Sequence, residues 1–166
     1  MKPLSPYVGS RWWPFIGILI GITLDQVSKL YFDDLLHYRE VVPIIPHFFN
    51  VTLAYNPGAA FSFLADAGGW QKYFFFCLAL GVSLYLGFFI FKRKFNVLMT
   101  VAASLIMSGA LGNAIDRVIH GHVIDFLDFY INNSHWPAFN LADSFIFIGA
   151  VLMFIDGFFF QSPSSK

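Results

Sequence analysis

Four stretches of this chain are each about twenty residues long and nearly free of charge. They run from about Trp12 to Phe32, from Tyr73 to Phe91, from Phe95 to Ile115 and from about Leu141 to Phe160. A helix rises about 1.5 Å per residue, so roughly 20 apolar residues cross the hydrocarbon core of a bilayer. Lipid offers no partners to backbone N–H and C=O groups, so such stretches must be helical. The second and third carry no charged side chain, and Asp143 and Asp156 bracket the fourth. Charged residues make up only 12% of the chain, against about 25% in soluble domains. The 22 Phe occur in runs such as YFFF and GFFIF, which cannot all face an interior, so most must face lipid. The expected fold is an all-α membrane protein of four transmembrane helices, with residues 1–166 forming one domain.

Lys and Arg in the flanks set the orientation. Lys2 and Arg11 precede the first span, Lys92, Arg93 and Lys94 link the second to the third, and Lys166 follows the fourth. All fall on one side of an even-numbered bundle, which predicts both termini in the cytoplasm. The opposite side holds two loops, about 33–72 and 116–140, with most of the acidic residues and all five His. The first span is longer than the apolar region of a cleaved signal peptide, and it ends in LDQVSKLYF, with no small-residue cleavage site, so it reads as a retained helix. The net charge is zero, which offers no argument for nucleic acid as a partner. Cys77 is the only cysteine, excluding an internal disulfide and any CxxC motif.

In the first outer loop, NVTLAYN suits a short strand and NPG at 56–58 marks a turn, while Pro43 and Pro46 limit any longer strand. A small sheet lying on the outer membrane surface is expected. Asn50-Val-Thr also matches the glycosylation acceptor pattern. Trp70 and Tyr73 suit the interface depth at which aromatic rings anchor a span.

Ionisable residues inside an apolar frame are costly and point to function. Asp25 and Lys29 are four apart on one helix face and can pair, either to anchor the helix end or to wall a site. Ser104, Ser108 and Gly112 form a small-residue face for close packing, with Asn113, Asp116 and Arg117 just beyond it. Asp125 and Asp128 follow in VIHGHVIDFLDFY, on the same side as Asp143. The chain between Asp125 and Asp143 is long enough to leave the third span and return as the fourth, so these carboxylates can meet. Two carboxylates in one half-buried pocket cannot both ionise easily. One keeps a proton and serves as acid, and the other stays charged and activates water. That is aspartic hydrolase chemistry, although residues 140–143 can equally cap the fourth helix.

Other chemistries fit less well. His120, His122, His135, Asp125 and Asp143 would supply metal ligands, but no HExxH is present, and no metal or other cofactor is expected. Ser28 and Lys29 are helical neighbours and do not face each other. A transporter or proton channel would need a polar path to the inner side, which the second and third spans do not supply. A purely structural subunit would need no outer carboxylates beside amides.

The sequence closely resembles the lipoprotein signal peptidase (signal peptidase II) family, aspartic membrane proteases of the bacterial inner membrane. The resemblance lies in DQVSK at 25–29, NPGAAFSF at 56–63, SGALGNAIDRVIHGHVIDFLDFY at 108–130 and WPAFNLADS at 136–144. It implies four transmembrane helices with a small periplasmic β-cradle and a short periplasmic helix. It assigns catalysis to Asp125 and Asp143, so Asp116 and Asp128 are expected to matter less. Asp25, Lys29, Asn56, Gly58, Asn113, Arg117 and Asn140 would line or brace the site. The implied substrate is a prolipoprotein with diacylglycerol on its lipobox cysteine, cut just before that cysteine. The resemblance further implies no metal, and inhibition by the cyclic peptide globomycin. A monomer among membrane lipids is the expected state.

Overall fold

The computed structural model describes residues 10–58 and 68–160. Lys2, Lys166 and the end of the NPGAAFSF stretch lie outside the described residues. Each apolar stretch is one helix: α1 (Trp13–Leu35), α2 (Gln71–Phe91), α3 (Val97–Ile119) and α4 (Leu141–Phe159). All four are long and apolar enough to cross a membrane. Pro14 stands in the first turn of α1, where its missing N–H costs no helical hydrogen bond. Asn96 starts α3 by accepting the Met99 N–H at 2.8 Å, a side-chain cap for an otherwise orphan donor. The third helix runs to Ile119, past the expected end near Ile115, so Asp116 and Arg117 lie on its last turns rather than in a loop. Hydropathy registers the thickness of the hydrocarbon, not the point where a helix stops.

The centre of the bundle is α3. Just over half of its most apolar window is buried (56%), against 17% for each of the other three helices. Its small residues allow this. A Cβ at Gly109 would collide with the Ala142 carbonyl of α4, and one at Gly112 would collide with the Asp25 carboxylate of α1. Ser108 donates to the Ile18 carbonyl at 3.3 Å and to Ser104 at 2.8 Å, so the expected packing face is the one that meets α1 and α4. Ile18, Leu86, Ile90, Ala103 and Met107 fill the middle of the bundle. Side chains such as Leu19, Leu84 and Phe154 point outward and are exposed, as a surface bathed in lipid requires.

One antiparallel sheet in the order β1–β2–β3–β4 sits where α1 ends and α4 begins. Its strands are β1 (Val41–Ile45), β2 (Phe49–Asn56), β3 (Val123–Ile131) and β4 (Ser134–His135). NVTLAYN lies within β2, as its composition suggests. The edge strand β1 is short, and its register shifts between Pro43 and Ile45, because proline supplies no ladder donor. Nine-residue β3 was not anticipated. VIDFLDFYI is rich in β-branched and aromatic residues, and its two carboxylates drew attention away from that cue. Leu36, Val51, Leu53 and Ile124 form a second apolar cluster against Phe32, and the Phe32 ring stacks on Phe126 at 4.4 Å. These contacts fix the sheet to the end of α1. Asn50 is buried and donates to Asp128 at 2.8 Å, so its amide is not free for glycosylation. No short fifth helix stands among the described residues.

Candidate active site

Three connections converge at the sheet end of the bundle. The first is a strap, residues 136–139, that runs beside β3. Phe139 and Leu127 exchange backbone hydrogen bonds at 3.0 and 2.8 Å. The next residue, Asn140, therefore emerges beside Asp125, and its Nδ2 donates to Asp125 Oδ1 at 2.7 Å. The second connection is the N-terminus of α4. The Asn140 side chain accepts from the Asp143 N–H at 3.0 Å, and Asp143 Oδ2 accepts from the Asn140 N–H at 3.3 Å. This reciprocal capping satisfies two orphan helix donors. Asp143 is thus a cap, as its position allowed, but its Oδ1 still accepts from Asn113 Nδ2 of α3 at 2.8 Å. One fully buried residue, Asn140, thus bonds both carboxylates, Asp125 through its side-chain amide and Asp143 through its backbone N–H.

The third connection is the β2–β3 pairing, which sets Asn56 opposite Val123 and Ala54 opposite Asp125. Asn56 Nδ2 lies 3.3 Å from Asp125 Oδ2. The NPG turn closes when Gly58 donates its N–H to Asn56 Oδ1 at 3.0 Å, and the Gly58 carbonyl accepts from Arg117 Nη2 at 2.6 Å. Arg117 also donates to the Asn113 carbonyl at 3.0 Å and lies over the Phe75 ring. Asp125 is only 3% exposed. Burial pushes its pKa from 3.8 up to about 8, and the charge of Asp143 adds to the rise. Hydrogen bonds from Asn56 and Asn140 and the charge of Lys29 oppose it.

Asp25 and Lys29 form their expected pair at 2.8 Å, but the pair is wholly buried. It lies behind the carboxylates, so these residues brace the site and do not line it. Lys29 Nζ also reaches Asp116 Oδ2 at 2.9 Å and Asn113 Oδ1 at 2.9 Å. Asp25 Oδ1 accepts from the Ala142 N–H at 2.9 Å, tying α1 to the first turn of α4. Asp116 is not the spare carboxylate that the sequence reading made it. It is 1% exposed, and it accepts from Gln26 Nε2 at 2.7 Å and the Ile124 N–H at 3.2 Å. Gln26 went unnoticed because an amide gives no charge signal. Asp116 was available to a reader who extended α3, since it lies three residues from Asn113 on one face. Asp128 belongs to the sheet, accepting from Asn50 and pairing with His135 at 2.9 Å.

The histidines do not gather at the carboxylates. His135 stacks on Tyr130, and His122 packs against Tyr55 and His120. Among the described residues, no three His, Cys, Asp or Glu side chains lie close enough to hold a metal. Ser28 Oγ donates to the backbone carbonyl of Asp25 in its own helix at 2.8 Å, whereas the Lys29 ammonium is taken by the Asp25 and Asp116 carboxylates and Asn113.

A cleft of about 690 Å³ opens at this place. Asn56, Asn113, Arg117 and Asp143 line one end, and Ile146, Phe147 and Ala150 of α4 line the other. The cleft therefore leads from a polar, hydrogen-bonding end onto a helix face built for lipid. Two carboxylates held by one residue, Asn140, with Asp125 inclined to keep a proton, provide an acid and a base in one site. The surrounding amides and the guanidinium can pair with the N–H and C=O groups of an extended peptide.

The profile of the family described as Signal peptidase (SPase) II matches residues 17–159. The lipoprotein signal peptidase of Chromobacterium violaceum is 58% identical over 151 residues, which cover 89% of this chain and 93% of that protein. The lipoprotein signal peptidase of Neisseria gonorrhoeae is 54% identical over 163 residues, covering 98% and 99% respectively. Among solved structures, a bacterial membrane enzyme determined by the in meso method at 2.3 Å resolution superposes with a TM-score of 0.79 at 33% identity, over 100% of both chains. A second such structure, at 1.9 Å resolution, gives a TM-score of 0.77 at 33% identity, over 97% of this chain and 100% of that one.

Proposed function

The chain belongs to the lipoprotein signal peptidase (signal peptidase II) family, and from that premise we propose that Asp125 and Asp143 are its catalytic pair. It is a multi-pass membrane peptidase that removes signal peptides from prolipoproteins. The proposal is that it does so as an aspartic endopeptidase, cutting just before a cysteine that already carries diacylglycerol.

The observation that carries this reading is that one residue, Asn140, bonds Asp125 through its side-chain amide and Asp143 through its backbone N–H, and that Asp143 lines a cleft descending along α4. The substrate's signal helix and acyl chains need hydrocarbon, and its scissile peptide needs water. A pair made of Asp125 on β3 and Asp143 in the first turn of α4 meets both demands. The charged carboxylate takes a proton from water as the water attacks the carbonyl carbon. The protonated one donates to the carbonyl oxygen, and a proton then passes to the departing amine. Asn56, Asn113 and Arg117 would hold the peptide's polar groups, because an unpaired one in hydrocarbon costs several kcal/mol. A proton channel is disfavoured by the interior of α3. Thr100, Ser104 and Ser108 spend their hydroxyls on carbonyls of their own helix.

Purified protein should cleave a diacylglyceryl-modified prolipoprotein, leave the unmodified precursor intact, and stop when globomycin is added. Equal cleavage of both precursors would remove the lipid requirement from the proposal.

The proposed site is the bacterial inner membrane, with both termini cytoplasmic and the sheet in the periplasm. Arg93 at the α2–α3 turn and Tyr38 beside the sheet are both exposed. In a Cys77→Ser background, a cysteine at position 93 should resist membrane-impermeant reagents in intact cells, and one at position 38 should react. The opposite labelling pattern would invert the orientation.

A further inference from the structure

Lys29 has three donors, and all three are in use. They go to Asp25 Oδ2 at 2.8 Å, Asp116 Oδ2 at 2.9 Å and Asn113 Oδ1 at 2.9 Å. Asn113 then passes its own N–H to Asp143, so a single side chain separates the ammonium from that carboxylate. Asp116 is the second carboxylate on the ammonium. Its two oxygens also take Gln26 Nε2 and the Ile124 N–H, the residue just before Asp125. We propose that Asp116, held by Gln26, is a positioning residue that offsets the Lys29 charge and thereby keeps the shared proton on the Asp125–Asp143 pair. This rests on the reading of those two residues as the catalytic pair.

The charged groups facing this region come from every element around it. They are Asp25 and Lys29 of α1, Asp116 and Arg117 of α3, Asp125 of β3 and Asp143 of α4. His122, in the turn before β3, is the further titratable group near Asp116. Four carboxylates thus face two basic side chains. Asp25, Lys29 and Asp116 alone carry two negative charges against one positive. A net negative charge beside a pair of carboxylates favours the form that keeps a proton. Without the Asp116 charge, Asp25 and Lys29 form a neutral pair, and the proton leaves the catalytic carboxylates more readily. A residue that only braced the fold would alter the rate at every pH alike and leave the shape of the profile unchanged.

The experiment is the pH dependence of cleavage for purified wild type, Asp116→Asn, Lys29→Gln and the double variant Lys29→Gln/Asp116→Asn. In Asp116→Asn the alkaline limb should move to lower pH, by about one unit. In Lys29→Gln, which leaves two uncompensated negative charges, it should move to higher pH. The double variant restores a single net negative charge, so its limb should return toward the wild-type position. If Asp116→Asn does not fold, the difference between Lys29→Gln and the double variant isolates the same charge, and removing it should lower the limb. A limb that stays in place when the Asp116 charge is removed in either background would overturn the proposal. The catalytic pair would survive that result if wild type still gave two limbs. Activity retained in Asp125→Asn would instead remove the pair itself.

Discussion

Asp125→Asn and Asp143→Asn should each reduce prolipoprotein cleavage by about a thousand-fold or more, because a positioned acid or base contributes on the order of 10²–10⁴ in rate. Both proteins should fold, and they should differ in stability. Asparagine at 125 resembles a protonated aspartate in shape and charge. It can still accept from Asn140 and, like the protonated acid, carries no charge beside Asp143, so thermal stability at neutral pH should hold. Asparagine at 143 keeps an acceptor for the Asn140 N–H but loses a negative charge in the first turn of α4. That charge is worth about 0.3–1 kcal/mol at a helix N-terminus, so a slightly lower Tm is expected. Asp128→Asn should leave cleavage nearly intact, since Asp128 lies in the sheet with Asn50 and His135. Cleavage at near wild-type rate by either of the first two variants, in a lipidated-substrate assay, would dismiss the pair.

Cleavage should rise and then fall with pH. In the proposed mechanism the working state holds one proton between the two carboxylates. Adding a second proton at low pH removes the base, and losing the first at high pH removes the acid. Because burial and the Asp143 charge push Asp125 up to about 8, the alkaline limb should lie near that pH and the enzyme should work at neutrality. The sign is set by Asp125 being raised: its proton is present below about pH 8 and lost above it. An unperturbed carboxylate would have lost it near 3.8. A rate that stays level from neutrality to well above pH 8, in detergent where the protein is still folded, would mean that no shared proton is needed.

The helices were legible because only one solution exists for twenty consecutive apolar residues in lipid. The small-residue face of α3, Ser104, Ser108 and Gly112, was legible for a related reason: small side chains mark where another helix comes close, as α1 does at Ser108 and Gly112. Asp125 and Asp143 could be suspected from the chain's return path, although their meeting depends on the strap pairing Phe139 with Leu127, which no local pattern announces. The bracing network was harder to read. Lys29 was expected to have one partner and has three, because two of them arrive from a helix that outruns its apolar stretch. Gln26 carries no charge, and between the ionisable Asp25 and Lys29 it gives no signal of its own in the linear sequence. The β3 strand was hidden because its two carboxylates invite a functional reading of a segment whose other residues pair with β2.

The cleft along α4 also bears on how the enzyme is to be measured. It runs from Asp143 to Ala150, and Phe147 beside it is 70% exposed. A substrate that enters there arrives by diffusing within a sheet of lipid, not through bulk solvent. The quantity that governs its encounter rate is then a surface density. Adding inert detergent at constant amounts of enzyme and substrate should slow the reaction by dilution within the micelle phase. Adding buffer should hardly change it. A Michaelis constant for this enzyme is therefore meaningful as a mole fraction of amphiphile, and molar values from different detergent concentrations will agree only after that conversion.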